Sequence, residues 1–176
     1  MKRIFTSLIL LLGFLTKGQA QLLVNQCESQ TPCNARPICG TGNITSVYSF
    51  STTAPYNTNP IPTCASSAGT YTSNWVYYRF TCYSTGTLNF RLNSNDSAGV
   101  ASDYDWAVWD ITSSGCGSLT TANTVACNAA GNGATGILTG GTPAANFANN
   151  ITITAGSTYI LGVSNATGAN TGGFTI

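Results

Sequence analysis

"WVYYRFTC", residues 75–82, decides the fold class. Val76, Tyr78, Phe80 and Cys82 fall on one side of an extended chain, and Trp75, Tyr77 and Arg79 fall on the other. That alternation is the period of a β-strand and does not fit a helix. Downstream, Ser84-Thr85-Gly86 reads as a turn, and Leu88, Phe90 and Leu92 then alternate with Asn89 and Arg91. The two segments are therefore expected to pair as an antiparallel hairpin.

The same period continues outward in both directions. Upstream, residues 44–50 read as a strand, and residues 52–73, with Pro55, Pro60 and Pro62, read as a long loop. Downstream, "DYDWAVWD" (103–110) places Tyr104, Trp106 and Val108 on one face. Asp103, Asp105, Ala107, Trp109 and Ile111 take the other, so this strand is apolar on both sides at its far end and acidic only at its start. Weaker strands are expected at 123–128 and 135–139. Ile151 and Ile153 mark another, a turn follows at Ala155-Gly156, and Tyr159, Leu161 and Val163 mark the next. The chain closes on a short run in which Phe174 and Ile176 share a face. About eight or nine short strands with no helical period predict an all-β, two-layer antiparallel β-sandwich of the jelly-roll kind; a closed eight-stranded barrel is the other architecture considered.

Lys2 and Arg3 precede an apolar run from Ile4 to Leu15, which ends at Gly18-Gln19-Ala20. Residues 1–20 read as an export signal cut before Gln21, too short to span a bilayer. Residues 21–40 form a Cys- and Pro-bearing lead, and 41–176 form the sandwich domain. The last strand stops after barely five residues, as expected of a strand that continues in a longer polypeptide or, as the alternative, of one that leaves a neighbouring sheet edge open to a partner strand.

Beyond residue 20 the charges are Arg36, Arg79 and Arg91 against Glu28, Asp96, Asp103, Asp105 and Asp110, three against five for a net of −2. Three scattered arginines cannot neutralise a run of phosphates, so nucleic acid is not an expected partner. The chain has no histidine, and its lysines all lie before residue 20. Ser-His-Asp, Cys-His, His-ligated zinc and Schiff-base chemistry are thereby excluded from this chain alone. Only paired carboxylates, the glycosidase device, remain as a catalytic option.

Seven cysteines, all beyond the signal, read as a disulfide framework in an exported chain. Spacing favours Cys116 with Cys127 and, as a second local pair, Cys33 with Cys39, although spacing does not fix connectivity. The count is odd, so at least one cysteine lacks a mate within the chain.

Three of the five acidic residues, Asp103, Asp105 and Asp110, sit within one strand. Asp103 and Asp105 project from the same face about 7 Å apart, close enough to repel unless donors or a cation intervene. One reading gives them hydrogen bonds from loop amides or pairing with Arg79 or Arg91, with Asp110 capping the turn before Thr112. The other gives Asp103 and Asp105, helped by Asp96, to Ca2+, which takes six to eight oxygen ligands. Trp106 is expected in the core. Trp75, Tyr77 and Arg79 are the better candidates for an exposed ligand face. Asn43, Asn95, Asn150 and Asn165 match the N-glycosylation pattern, a frequent chance match in a Thr-rich chain.

In order, "CNARPIC", "WVYYRFTCYSTGTLNF", "DYDWAVWDI", a Cys116-to-Cys127 loop and "AGSTYILGVSN" before "GGF" resemble the non-catalytic β-sandwich modules of secreted adhesin-like proteins in gliding, type IX-secreting bacteria. The resemblance covers roughly residues 33–175. It is also similar to CUB-like and peptidase-C-terminal-like domains, which bind calcium or carbohydrate through acidic loops and sheet faces. The resemblance implies a secreted or cell-surface, non-enzymatic binding or adhesion module. It further implies an extracellular protein or glycan ligand and downstream modules on the same polypeptide. A carbohydrate-binding module is the alternative, and a carboxylate-dependent glycosidase the more remote one.

Overall fold

A computed structural model describes residues 31–40, 42–46, 75–96, 103–129, 131, 133–138, 146–165 and 172–176. Residues 1–20, read as an export signal, residues 52–73, read as a long loop, and Cys27 and Cys64 lie outside the described residues. Twelve strands are present among the described ones: β1 (Arg36–Pro37), β2 (Thr45–Ser46), β3 (Trp75–Thr81), β4 (Gly86–Leu88), β5 (Phe90–Ser94), β6 (Tyr104–Asp110), β7 (Thr124–Asn128), β8 (Thr135–Leu138), β9 (Phe147–Asn149), β10 (Ile151–Ile153), β11 (Thr158–Asn165) and β12 (Phe174–Thr175). No described helix is long and apolar enough to cross a membrane.

The strands form two five-stranded sheets, ordered β1-β3-β11-β6-β7 and β2-β12-β5-β8-β9, with a two-stranded β10-β4 ribbon beside them. The all-β sandwich expected from the alternation is the fold. Its sheets are mixed and not purely antiparallel, because β1 runs parallel to β3 and β8 runs parallel to β9. Val76, Tyr78, Tyr104, Trp106, Val108, Leu161 and Val163 of the first sheet meet Leu92, Ile137 and Phe174 of the second in one buried core. Two polar ties cross that core. Trp106 Nε1 donates to Thr135 Oγ1 at 2.9 Å, and the Tyr104 hydroxyl donates to Gly173 O at 3.0 Å. Each gives a buried donor the partner it needs while holding the sheets in one register.

The hairpin expected between 75–82 and 88–92 does not form. β3 pairs with β1 and β11, whereas β5 pairs with β8 and β12 in the opposite sheet. The handover occurs at Cys82, whose N–H donates to Ser157 O at 2.9 Å and whose carbonyl accepts from Gly156 N–H at 2.8 Å. These bonds tie the end of β3 to the turn before β11. The intervening β4 pairs instead with β10. Both segments carry one apolar face, and that pattern suits strands facing each other across a core as well as strands side by side. The turn at Ala155-Gly156 is present, with Gly156 at φ 81°, but β10 and β11 likewise belong to different sheets.

A second, smaller core lies on the outer face of the first sheet. Trp75, Tyr77, Ala107, Trp109 and Ile160 are covered there by Ala35, Leu119 and Ala129. The cover is fastened by a disulfide from Cys33, in a 3-10 turn at Pro32–Asn34, to Cys116 in the β6–β7 loop. The two local pairings favoured by spacing are therefore replaced by one spanning 83 residues. Cys127 is disulfide-bonded as well, to none of the other described cysteines, while Cys39 is free and exposed and Cys82 is free and buried. Local spacing misleads because the lead folds back across the sheet, bringing Cys33 onto a loop distant in sequence.

Candidate functional site

The outer face of the first sheet carries every acidic residue and tryptophan singled out on that side of the sequence pattern. Strand register sets its layout. Asp105, Ser164 and Trp75 lie in one row across β6, β11 and β3; Ala107, Gly162 and Tyr77 form the next; Trp109, Ile160 and Arg79 form the third. Side chains directly opposite one another share a face, so the rows are real neighbours.

Gly162 is the floor of this arrangement. A Cβ there would stand 2.8 Å from Trp109 Cζ3 and 2.9 Å from Trp75 Cε3, closer than packed carbon atoms approach. The bare backbone lets both indoles lie over the strand. Trp75 meets Trp109 edge-on at 5.7 Å and stacks on Tyr77 at 6.2 Å, while Tyr77 and Trp109 tilt together at 6.4 Å. Trp75 and Tyr77 were expected as an exposed ligand face, but only 5% and 1% of their surface is accessible. They are corrected to core residues, sealed by the Cys33–Cys116 cover. Of the three, only Arg79 is exposed. Trp106 is fully buried on the inner face, as the alternation indicated. Trp109 Nε1 is buried with no hydrogen-bond acceptor in reach.

The acids take three separate positions. Asp110, at the far end of β6, accepts from Thr112 N–H at 2.9 Å and holds the turn, the capping role read from the sequence. Asp96 follows β5 in the second sheet. Its Oδ1 accepts from Gly172 N–H at 2.7 Å and its Oδ2 from Ser94 Oγ at 2.6 Å, with the Tyr104 hydroxyl at 3.5 Å. The Asp96 carboxylate thus clamps the approach to β12, where Gly172 is required because a Cβ would fall 2.6 Å from Asn95 O. Tyr104 lies in the inner core, whereas Asp105 stands in the outer-face row with Ser164 and Trp75.

Asp105 is the exceptional side chain. It is 2% exposed, and its Oδ2 has no hydrogen-bond donor. Burial, and then the neighbouring Asp103, push its carboxyl up to about 7. Burial also raises Asp103, which is half-buried just ahead of β6. A lone ionised carboxylate in such surroundings costs several kcal/mol and must be neutralised by a proton or a cation. Among the described residues no group of three or more acidic, cysteine or histidine side chains gathers around a point. Sequence reading found this pair, but it missed Gly162 and Ser164, the flat floor and the buried polar neighbour beside it. A single glycine inside the apolar run "YILGVS" was the available signal for a close approach.

No protein-family model matches the chain, and neither do any curated protein or solved structure.

Proposed function

We propose that this chain is a secreted or cell-surface, non-enzymatic module that binds a hydroxylated extracellular ligand, a glycan, through the outer face of its second sheet. The observation that carries the reading is the contrast between the two outer faces. One is sealed by the lead and a disulfide, whereas the other leaves a row of hydrogen-bonding side chains in water. Thr45, Thr175 and Asn93 stand opposite one another across β2, β12 and β5. Asn95 joins them through a 3.0 Å bond from Thr175 Oγ1. Arg91 lies two positions away, its Nε donating to Asn93 Oδ1 at 3.0 Å and its guanidinium 5.8 Å from the Phe147 ring centroid. Amide, hydroxyl and guanidinium groups at strand spacing, with one aromatic ring, are the donor and acceptor set that matches sugar hydroxyls. Adhesion is the role such a surface supports in an exported, disulfide-stapled chain.

The catalytic alternative has less support. Asp96 and Asp110 are engaged in turns, and Asp105 lies beneath its neighbours where no glycosidic bond reaches it. Binding of the oxidised protein to a glycan array, alongside release of reducing ends from the same glycans, tests the reading. Saturable binding weakened at least tenfold by Asn93→Ala with Arg91→Ala, without turnover, is expected. Turnover abolished by Asp103→Asn would overturn it, and so would binding indifferent to the Arg91 and Asn93 changes.

A further inference from the structure

We propose that the glycan held by the second sheet is an acidic one, and that Arg91 grips the carboxylate of a uronic acid residue in it. This rests on the glycan reading of that face and narrows its ligand class. Strand register places Arg91, Gly136 and Phe147 in one row across β5, β8 and β9. Gly136 sits at φ 143°, and a Cβ there would collide with Phe90 O, so no side chain stands between its two neighbours. Across that gap the Arg91 guanidinium reaches the Phe147 ring, 5.8 Å from its centroid, while Nε donates to Asn93 Oδ1 at 3.0 Å. A long exposed side chain that would otherwise sweep through many rotamers is thereby held at two points before any ligand arrives. Among the described residues no carboxylate pairs with it, and neither of its terminal nitrogens meets an acceptor.

The surroundings choose the ligand. Arg91 is the only charged residue in the five strands of this sheet, so the face offers one positive charge and no negative one. A planar guanidinium with its terminal nitrogens free matches a carboxylate through two parallel N–H···O bonds. One cation suits one carboxylate at each point of contact. A densely sulfated chain would need several cations, and residues beyond 20 carry a net charge of −2 that repels it. Neighbouring groups suit the rest of a sugar. Leu138, two positions beyond Gly136 on β8, is 41% exposed, and with the half-buried Phe147 ring it offers apolar surface to the C–H face of a pyranose. Asn93 and Thr175, opposite one another on β5 and β12, remain for the hydroxyls.

The test uses the full oxidised chain and an array of galacturonate, glucuronate and mannuronate oligosaccharides, each beside its methyl ester. Esterification removes the charge and keeps the ring. At least one free acid should bind about ten- to a hundredfold more tightly than its ester, the range expected for a charge-assisted pair. Arg91→Gln should erase that difference, leaving acid and ester equally weak, and Arg91→Lys should retain only a small part of it, because the charge stays and the fork is lost. Arg79→Gln removes the same charge from the opposite sheet and should leave the preference intact. Acid and ester bound equally by the unaltered chain would overturn the proposal, as would a preference that survives Arg91→Gln. So would tighter binding of a sulfated galactan than of any uronate. If neutral or esterified glycans bind and are weakened by Asn93→Ala with Arg91→Ala, the glycan reading stands without the acid preference. If no glycan binds, charged or neutral, both fall together.

Discussion

Gly162 shows how one missing methyl group organises a whole face. Its substitution by alanine puts a Cβ within 2.9 Å of two indole carbons that the cover prevents from moving outward. Overpacking of this kind costs about 1–3 kcal/mol, and urea unfolding of Gly162→Ala should show that loss. The loss should shrink in a background carrying Trp75→Leu, because residues sharing one space do not add. A loss unchanged by Trp75→Leu would mean that backbone preference, and not the rings, is responsible. The two free thiols provide a second residue-scale check. Native alkylation followed by peptide mapping should modify the exposed Cys39 readily and the buried Cys82 only after denaturant is added. The parity of β6 was legible from alternation alone, which placed Trp106 inward and Asp105 outward and assigned Asp110 its turn. The burial of Trp75 and Tyr77 was not, because periodicity reports which face a side chain takes and not what later covers that face. The clue available was that Trp109 and Ile111 make β6 apolar on its outer side too.

Among the elements, alternation located the strands well and their pairing poorly. β3, β6, β10 and β11 begin and end within a residue or two of the positions read from the sequence. Yet β3 and β5, joined by a turn-like segment, belong to opposite sheets. A turn sets local direction, and pairing is decided by which strand offers a free edge with matching apolar residues. β12 is the sharpest case. Only Phe174 and Thr175 form it, but it joins β2 to β5, and without it the second sheet would fall into two pieces. Its anchor is Phe174, fully buried and edge-on to Tyr104 at 5.5 Å and to Tyr78 at 6.2 Å. Phe174→Ala should therefore cost about 3–5 kcal/mol despite lying two residues from the last one. A loss below about 1 kcal/mol in a denaturant titration would show that β12 does not hold the sheet. The parity of this strand was readable, since Phe174 and Ile176 both pack inward; its place between β2 and β5 was not.

At the scale of the whole molecule, the sandwich has two cores of different dependence. The inner core joins both sheets through strand-borne side chains. The outer core exists only because the lead and the β6–β7 loop are brought over the first sheet, and the Cys33–Cys116 link fastens those two segments to each other. The β6–β7 loop is itself well organised. Asn123 accepts from Thr120 N–H at 2.7 Å and donates to Ser118 O at 2.7 Å and Ser114 Oγ at 3.0 Å, so the Cys116 side of the cover is rigid before the bridge forms. Among the described residues of the lead, the 3-10 turn at Pro32–Asn34 carries no buried residue and no side-chain cap. Closing a loop of this length removes enough freedom from the unfolded chain to stabilise by roughly 2–4 kcal/mol. Replacing Cys33 and Cys116 by serine should therefore lower stability by about that amount and act unevenly. The lead should loosen first, wetting Trp75 and Trp109 and shifting tryptophan emission to the red in protein that is otherwise folded, while Trp106 stays dry between the sheets. Near-ultraviolet circular dichroism and emission spectra recorded at concentrations of urea below the main transition check this. Emission that stays blue until the sheets themselves unfold would show that packing alone holds the cover, and that the disulfide acts only on the unfolded chain.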